Sequence, residues 1–275
     1  MTDFKIRDYQ DEAVNAVLDR WGDGVDSLLG VAAMGMGKTI VLNETLAREN
    51  VAGNMERGII LAHRRELIYQ PRARVERFFT DRLPVPGIVM GNQNDAGDKL
   101  ICATMQTLSR ERRIDEVLKH GPVSHLIIDE AHHAAAPGYQ YIVDRLRDAN
   151  PDLRILGVTA TPRRSDDAPL TVFDEQAFKY TIKQAIYEFG VLVPFVGLGV
   201  RLPVDISKVR MQAGDYSANE LGSVMDVANA NEVIVETWKK HASDRVTMGF
   251  TPTVAHARHL AEAFQRAGVA AEWAY

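Results

Sequence analysis

Short apolar runs alternate along this chain with longer stretches in which apolar positions recur every three to four residues, the helical period. The runs predict strands at 27–32, 58–62, 88–90, 99–103, 125–129 and 155–158. The periodic stretches predict helices at 8–21, 38–50, 64–80, 114–120 and 140–150. Because the strand runs are apolar throughout and do not alternate, both of their faces should be covered. That is the signature of a mainly parallel sheet flanked by helices, an α/β fold. Residues 91–98 are polar and contain glycine, so they read as a loop. After about residue 165 the pattern changes to a short helix at 181–190, an extended exit at 192–194 and a polar crossing segment at 201–222. A new unit then begins, with a strand at 246–250, a helix at 252–267 and a strand at 269–273. Thr251 is placed to cap that helix, Pro252 fits its first turn and Gly268 its end. A single βαβ unit cannot bury both faces of its sheet, so a second domain is only begun here.

Composition narrows the class without naming a function. The 275 residues are 46% apolar and 25% charged, ordinary for a globular protein, with no internal repeat. No apolar stretch approaches the ~18 residues needed to span a bilayer, and the first residues do not form a leader, so no membrane partner is expected. Cys102 is the single cysteine and cannot form an internal disulfide. This points to a reducing, cytoplasmic setting. A net charge of −5 speaks against indiscriminate nucleic-acid binding but leaves room for a local basic track. Arginines 57, 64, 65, 72, 74, 77 and 82 mark such a track, open to reading as a solvated helix face or as a set of phosphate contacts.

Two motifs carry the chemistry. Ala32-Ala33-Met34-Gly35-Met36-Gly37-Lys38-Thr39 follows the first strand run and opens a helix. A glycine-rich turn there can wrap backbone N–H groups around phosphate, with Lys38 on the terminal phosphates and the Thr39 hydroxyl on Mg²⁺. Asp129-Glu130-Ala131-His132 follows Leu126-Ile127-Ile128 and should sit at the end of a buried strand. Asp129 can complete the magnesium shell, and Glu130 can orient a water. His132 and His133 with Asp129 could in principle ligate a metal, but no H-E-x-x-H pair or Cys/His quartet accompanies them.

Motif by motif, the chain resembles superfamily 2 helicases and translocases, closest to the group of DEAH-type, type III restriction-like and XPB-like enzymes. The first motif departs from G-x-x-x-x-G-K-[ST] at Ala32 but matches that superfamily's A-x-x-G-x-G-K-T, and Asp129–His132 spells its D-E-A-H box. Arg7-Asp8-Tyr9-Gln10 resembles the R-x-Y-Q element, which implies that Arg7 and Gln10 serve the nucleotide, the glutamine reading the adenine edge. Ala62-His63-Arg64-Arg65-Glu66-Leu67 resembles motif Ia, and Thr104-Met105-Gln106-Thr107 the T-x-Q element. This implies nucleic-acid backbone contacts at His63, Arg64, Arg65, Thr104 and Gln106. Thr159-Ala160-Thr161 resembles motif III, so the resemblance implies that His132, Thr159 and Thr161 couple hydrolysis to movement. Val191-Leu192-Val193-Pro194 is similar to the exit from the first domain, and 246–251 with His256-Ala257 to motif IV.

The resemblance implies a RecA-like P-loop NTPase domain at 1–200, a linker at 201–244 and the start of a second RecA-like domain at 245–275. The implied activity is ATP-dependent DNA helicase or translocase, with ATP and Mg²⁺ as cofactors and DNA favoured over RNA. The family's later motifs, including the arginine-bearing one that reaches the γ-phosphate, have no match at 246–275, where Arg258 and Arg266 sit on a predicted helix. Weak turnover is therefore expected of this chain unless a partner or a further segment supplies the second motor domain. Two alternatives stay open: an ATP- and nucleic-acid-binding regulatory module, and a duplex translocase that does not unwind.

Overall fold

The computed structural model describes residues 5–161, 170–212 and 215–274 and divides the chain into two compact units, Met1–Pro194 and Phe195–Tyr275. The stretch across which the sequence pattern changes, around 165, lies outside the described residues.

The first unit opens with α1 (Asp8–Gly22), β1 (Ser27–Ala32), α2 (Lys38–Val51), β2 (Gly58–Ala62), α3 (Glu66–Phe78), β3 (Gly87–Met90), β4 (Gln93–Asn94) and β5 (Leu100–Thr104). It continues with α4 (Met105–Leu108), α5 (Glu111–Leu118), β6 (His125–Asp129), a 3-10 turn at Ala131–His133, α6 (Pro137–Ala149), β7 (Arg154–Thr159), β8 (Glu175–Tyr180) and α7 (Ile182–Tyr187). Eight strands form one sheet in the order β4-β3-β5-β2-β6-β7-β1-β8, parallel except where β4 folds back on β3. β1, β2, β5 and β6 are buried along their whole length. Two separate hydrophobic clusters cover the two faces, one built on α1, α2 and α3, the other on α5 and α6. That is why these strands read as continuous apolar runs. The carboxyl ends of β1, β2, β6 and β7 share one edge, and this edge collects the candidate motifs.

Several expectations need correction. The stretch 170–180 showed no strand signal, yet β8 pairs parallel with β1 at the sheet's edge. It is half exposed, so it lacks the apolar run that burial on both faces would require. A Cβ on Gly30 would lie 2.3 Å from Phe178 Cζ, so the glycine makes room for that ring. The 91–98 loop contains the two-residue β4, pinned by the Ile88 N–H donating to Asp95 Oδ2 (2.8 Å). α3 begins two residues later than its periodicity predicts, because 63–65 turn before the helix starts.

The second unit contains β9 (Met211–Gln212) paired antiparallel with β10 (Asp215–Tyr216), then α8 (Ala218–Met225), α9 (Ala228–His241) and α10 (Val254–Arg266). The predicted crossing segment thus holds an antiparallel strand pair and the start of a helix. Trp238 of α9 meets Phe264 of α10 edge-on at 5.4 Å. The predicted strands at 246–250 and 269–273 do not form. Val246, Met248 and Phe250 have the composition of a strand but are largely exposed, and a strand exists only by pairing. α10 is capped by Thr253, whose hydroxyl accepts from the His256 N–H, so Thr251 and Pro252 precede the cap. Gly268, with φ +78°, ends it as expected. Among the described residues no helix is long and apolar enough to cross a membrane.

Candidate nucleotide and nucleic-acid site

β1 delivers the chain into a turn in which Gly35 (φ +84°) and Gly37 (φ +79°) take left-handed conformations that favour glycine. Gly37 is also the residue before the first turn of α2, whose N–H groups have no intrahelical acceptor and whose dipole favours an anion. A Cβ at Gly37 would lie 2.5 Å from Gln10 Nε2, and one at Gly35 would lie 2.9 Å from Leu192 Cδ2. The turn is therefore a tight cradle with room for backbone only. Met34 is exposed at its tip and Met36 is buried beneath it. Lys38 Nζ donates to the Ala32 carbonyl (3.4 Å), so the ammonium lies back over the loop. Thr39 follows in the first turn of α2, only partly buried.

The R-x-Y-Q element braces this loop from below. The Tyr9 hydroxyl donates to the Met36 carbonyl (2.8 Å), and Gln10 Nε2 donates to the same oxygen (3.0 Å). Gln10 Oε1 accepts from the Arg7 N–H (3.2 Å). Gln10 is buried, so its amide faces the loop and already has protein partners at both ends. Beside it, Ile6, Arg7, Tyr9, Glu188, Phe189 and Val191 line a cavity of about 630 Å³. Tyr9 stacks on Phe189 at 4.9 Å and meets Tyr180 edge-on at 5.9 Å, while the Tyr180 hydroxyl donates to the Tyr9 carbonyl (2.9 Å).

β6 carries Asp129 to the same edge. Burial pushes its carboxyl above the usual range; Glu130's charge adds to this, while the Glu130 N–H bond (2.9 Å) and the charges of Lys38 and Arg74 oppose it. The buried carboxylate of Asp129 and the hydroxyl of Thr39 are hard oxygen donors of the kind Mg²⁺ selects, and the glycine turn before Lys38 offers backbone N–H groups to phosphate. The residues present fit Mg–ATP.

Glu130 has φ 53° and ψ 53°, the sole left-handed non-glycine among the described residues. The Thr159 hydroxyl donates to the Thr161 carbonyl (3.0 Å), so its oxygen receives the proton of His132 Nδ1 (3.1 Å). The Thr161 N–H donates to that oxygen as well (3.1 Å). His132 Nδ1 also lies 3.4 Å from Glu130 Oε2. Glu130, His132, Thr159 and Thr161 thus form one connected set.

Of the proposed nucleic-acid contacts, Arg64, Arg65 and Gln106 are exposed and His63 partly so. Gln106 Nε2 donates to the His63 carbonyl (2.9 Å) and Arg64 Nε to His63 Nε2 (3.1 Å). Thr104 is buried, and its hydroxyl donates to Thr107 Oγ1 (2.9 Å), holding the turn rather than facing outward. The arginine track is only partly a surface. Arg57 is buried and donates to the carbonyls of Val117, Gly121 and Ala96. Arg72 bonds the Pro86 carbonyl, and Arg82 the buried Glu44 carboxylate.

The family model described as type III restriction enzyme, res subunit, matches residues 3–164. The chain belongs to this family, a restriction-type group of superfamily 2 helicases. It is 31% identical to the putative ATP-dependent helicase IRC3 of Saccharomyces cerevisiae over 96% of its own length and 39% of that protein. The Schizosaccharomyces pombe putative mitochondrial ATP-dependent helicase irc3 is 28% identical over 96% of this chain and 44% of its own length. The chain thus spans about two fifths of these relatives. Among solved structures, the Pyrococcus furiosus Hef helicase domain aligns with a TM-score of 0.51 over 95% of this chain and 53% of that one, at 17% identity. That likeness bears out the RecA-like fold.

The motifs of this type III restriction-like domain are contiguous in the sequence; the aromatic cluster of Tyr9, Tyr180 and Phe189 beside the cavity is not. Phe189 and Tyr180 follow Tyr9 by more than a hundred and fifty positions, and no local spacing links them. Tyr9→Phe would keep the stack on Phe189 and remove one of the two donors on Met36. Since Gln10 still satisfies that carbonyl, the expected cost is about 0.5–1.5 kcal/mol, a roughly 2–12-fold weaker affinity for ATP. Calorimetric titration with Mg–ATP checks this, and an unchanged affinity would remove Tyr9 from the support of the loop.

Proposed function

We propose that this chain is the ATP-binding half of a DNA helicase or translocase, hydrolysing ATP to ADP and phosphate at the edge of its sheet and gripping a nucleic-acid backbone beside it. The observation that carries the reading is the junction at this edge. The phosphate cradle ending in Lys38 lies within the electrostatic reach of Asp129, and Glu130 is tied through His132 to Thr159.

In this reading Met34 to Thr39 hold the phosphates. Thr39 and Asp129 hold Mg²⁺, which when bound supplies charge neutralisation at the terminal phosphates. Glu130 accepts the proton of the attacking water, and the His132 N–H steadies its carboxylate. Arg7, Tyr9 and Phe189 form the base-side wall, with Gln10 as the brace between that wall and the loop. His63, Arg64, Arg65 and Gln106 meet phosphate oxygens, contacts that position a strand without reading its bases, while Thr104 holds their turn. DNA is favoured over RNA by likeness to proteins such as the type ISP restriction-modification enzyme LlaGI, solved with a DNA substrate mimic. The second unit is assigned to the linker and the beginning of the second RecA-like domain. A cytoplasmic setting rests on Cys102 being buried and free; the fission-yeast relative is named as mitochondrial.

The test is the steady-state ATPase rate of the 275-residue chain with and without single- and double-stranded DNA, against Glu130→Gln as the control. Turnover is expected to exceed the control and to rise with DNA, yet stay slow, because an arginine supplied to the γ-phosphate is worth roughly 10³–10⁵ in related enzymes and none at 246–275 matches that motif. Turnover equal to the control under every condition would overturn the assignment as an ATP hydrolase. The family's restriction-type name favours a second reading, a duplex translocase, which a triplex-displacement assay beside a strand-displacement assay separates.

A further inference from the structure

His133, directly after the D-E-A-H box, takes no part in the nucleotide or nucleic-acid contacts proposed for this edge. His133 lies between two other imidazoles, its ring centroid 4.1 Å from that of His63 and 4.1 Å from that of His132. The three rings come from two strand ends, His63 following β2 and the pair following β6. We infer that His133 is a positioning residue, a packed ring that transmits nucleic-acid contact at His63 and Arg64 to His132 and so to Glu130. The inference rests on the reading of 63–65 as the nucleic-acid grip and of Glu130 as the base.

The linkage is mechanical and begins at His63. Its Nε2 accepts from Arg64 Nε, so the neutral ring carries its proton on Nδ1. That Nδ1 is buried and has no hydrogen-bond partner among the described residues. Burial, the charge of Arg64 and His132 hold His63 below the usual imidazole range, and burial with His132 and His63 does the same to His133. The three rings are held together by direct contact. A phosphate drawing Arg64 away removes the one bond that fixes the His63 ring, and an unmet buried donor on its other side favours reorientation. With centroids 4.1 Å apart and planes tilted by 51° and 44°, the rings are in contact, so a turn of His63 presses on His133 and a turn of His133 on His132. His132 Nδ1–H is shared between Thr159 and Glu130. A small shift there changes how firmly the Glu130 carboxylate is held.

The experiment measures the Kd of a fluorescent non-hydrolysable ATP analogue for the full chain, with and without saturating oligodeoxythymidine. The proteins are wild type, His133→Ala, His133→Leu and His133→Phe, each first shown folded by thermal melting. Coupling between two sites ordinarily changes affinity by roughly 5–150-fold. We expect wild type and His133→Phe to fall in that range, and the ringless Ala and Leu variants to show less than about a twofold change with their DNA-free Kd unaltered. Leu preserves bulk, so it reports on the ring even if the alanine variant does not fold. Wild-type coupling retained in the folded ringless variants would overturn the inference and leave the proposed function standing. Absence of coupling in wild type, with DNA binding undetected, would overturn the nucleic-acid reading and the inference with it.

Discussion

Lys38→Ala is expected to lower kcat/KM for ATP by about 10²–10³-fold, the usual effect of removing one preorganised donor aimed at developing charge. The lysine sits at the first position of α2, directly after the left-handed Gly37, so loop and helix together aim it at the cradle. Its present partner is the Ala32 carbonyl at 3.4 Å, a long bond that a phosphate would easily displace. Folding should be nearly untouched, within about 0.5 kcal/mol, since among the described residues the side chain makes no other hydrogen bond and alanine is a good helix former. Lys38→Arg is the informative companion, because it keeps the charge but replaces a compact ammonium by a planar fork. Near wild-type turnover in Lys38→Ala, with folding intact, would remove the ATP site from this loop.

What could be read from sequence, and what could not, divides along a physical line. The cradle and the Asp129–Glu130 pair are legible because their chemistry needs neighbours in the chain: glycines with positive φ next to a lysine, and carboxylates at the end of a buried strand. β1, β2 and β6 fall where their apolar runs put them, since a strand covered on both faces has no polar side to obscure it. β8 is an edge strand with polar residues on its open side, and only its pairing with β1 makes it a strand. At 246–250 the opposite holds, with strand composition and, among the described residues, no strand to pair with. The resemblance that gives Gln10 the adenine edge says nothing of its burial or its bond to the Met36 carbonyl, which come from packing between residues far apart in sequence. The arginine track shows the limit of counting charges. Arg57 and Arg82 are spent on buried carbonyls and on Glu44, while Arg64 and Arg65 stay at the surface, and nothing in their spacing separates the two pairs.

Glu130→Gln is expected to bind Mg–ATP about as well as wild type and to turn it over roughly 10²–10⁴-fold more slowly, the range of a general base. Gln keeps the size of the side chain and an acceptor for the His132 N–H, so the geometry around Thr159 should survive and only the basicity is lost. The backbone at this position provides a second, independent readout. Glu130 sits at φ 53°, a left-handed conformation that costs a non-glycine residue roughly 1–2 kcal/mol. Glu130→Gly should therefore be more stable than Glu130→Ala by about 1 kcal/mol in urea denaturation while being as inactive. A residue held in a strained conformation that glycine tolerates better than alanine, and whose loss removes turnover, is kept for its carboxylate and not for the fold. If Glu130→Gln hydrolysed ATP at the wild-type rate, the base would lie elsewhere, and the strained turn would be left as a feature of the strand's end alone.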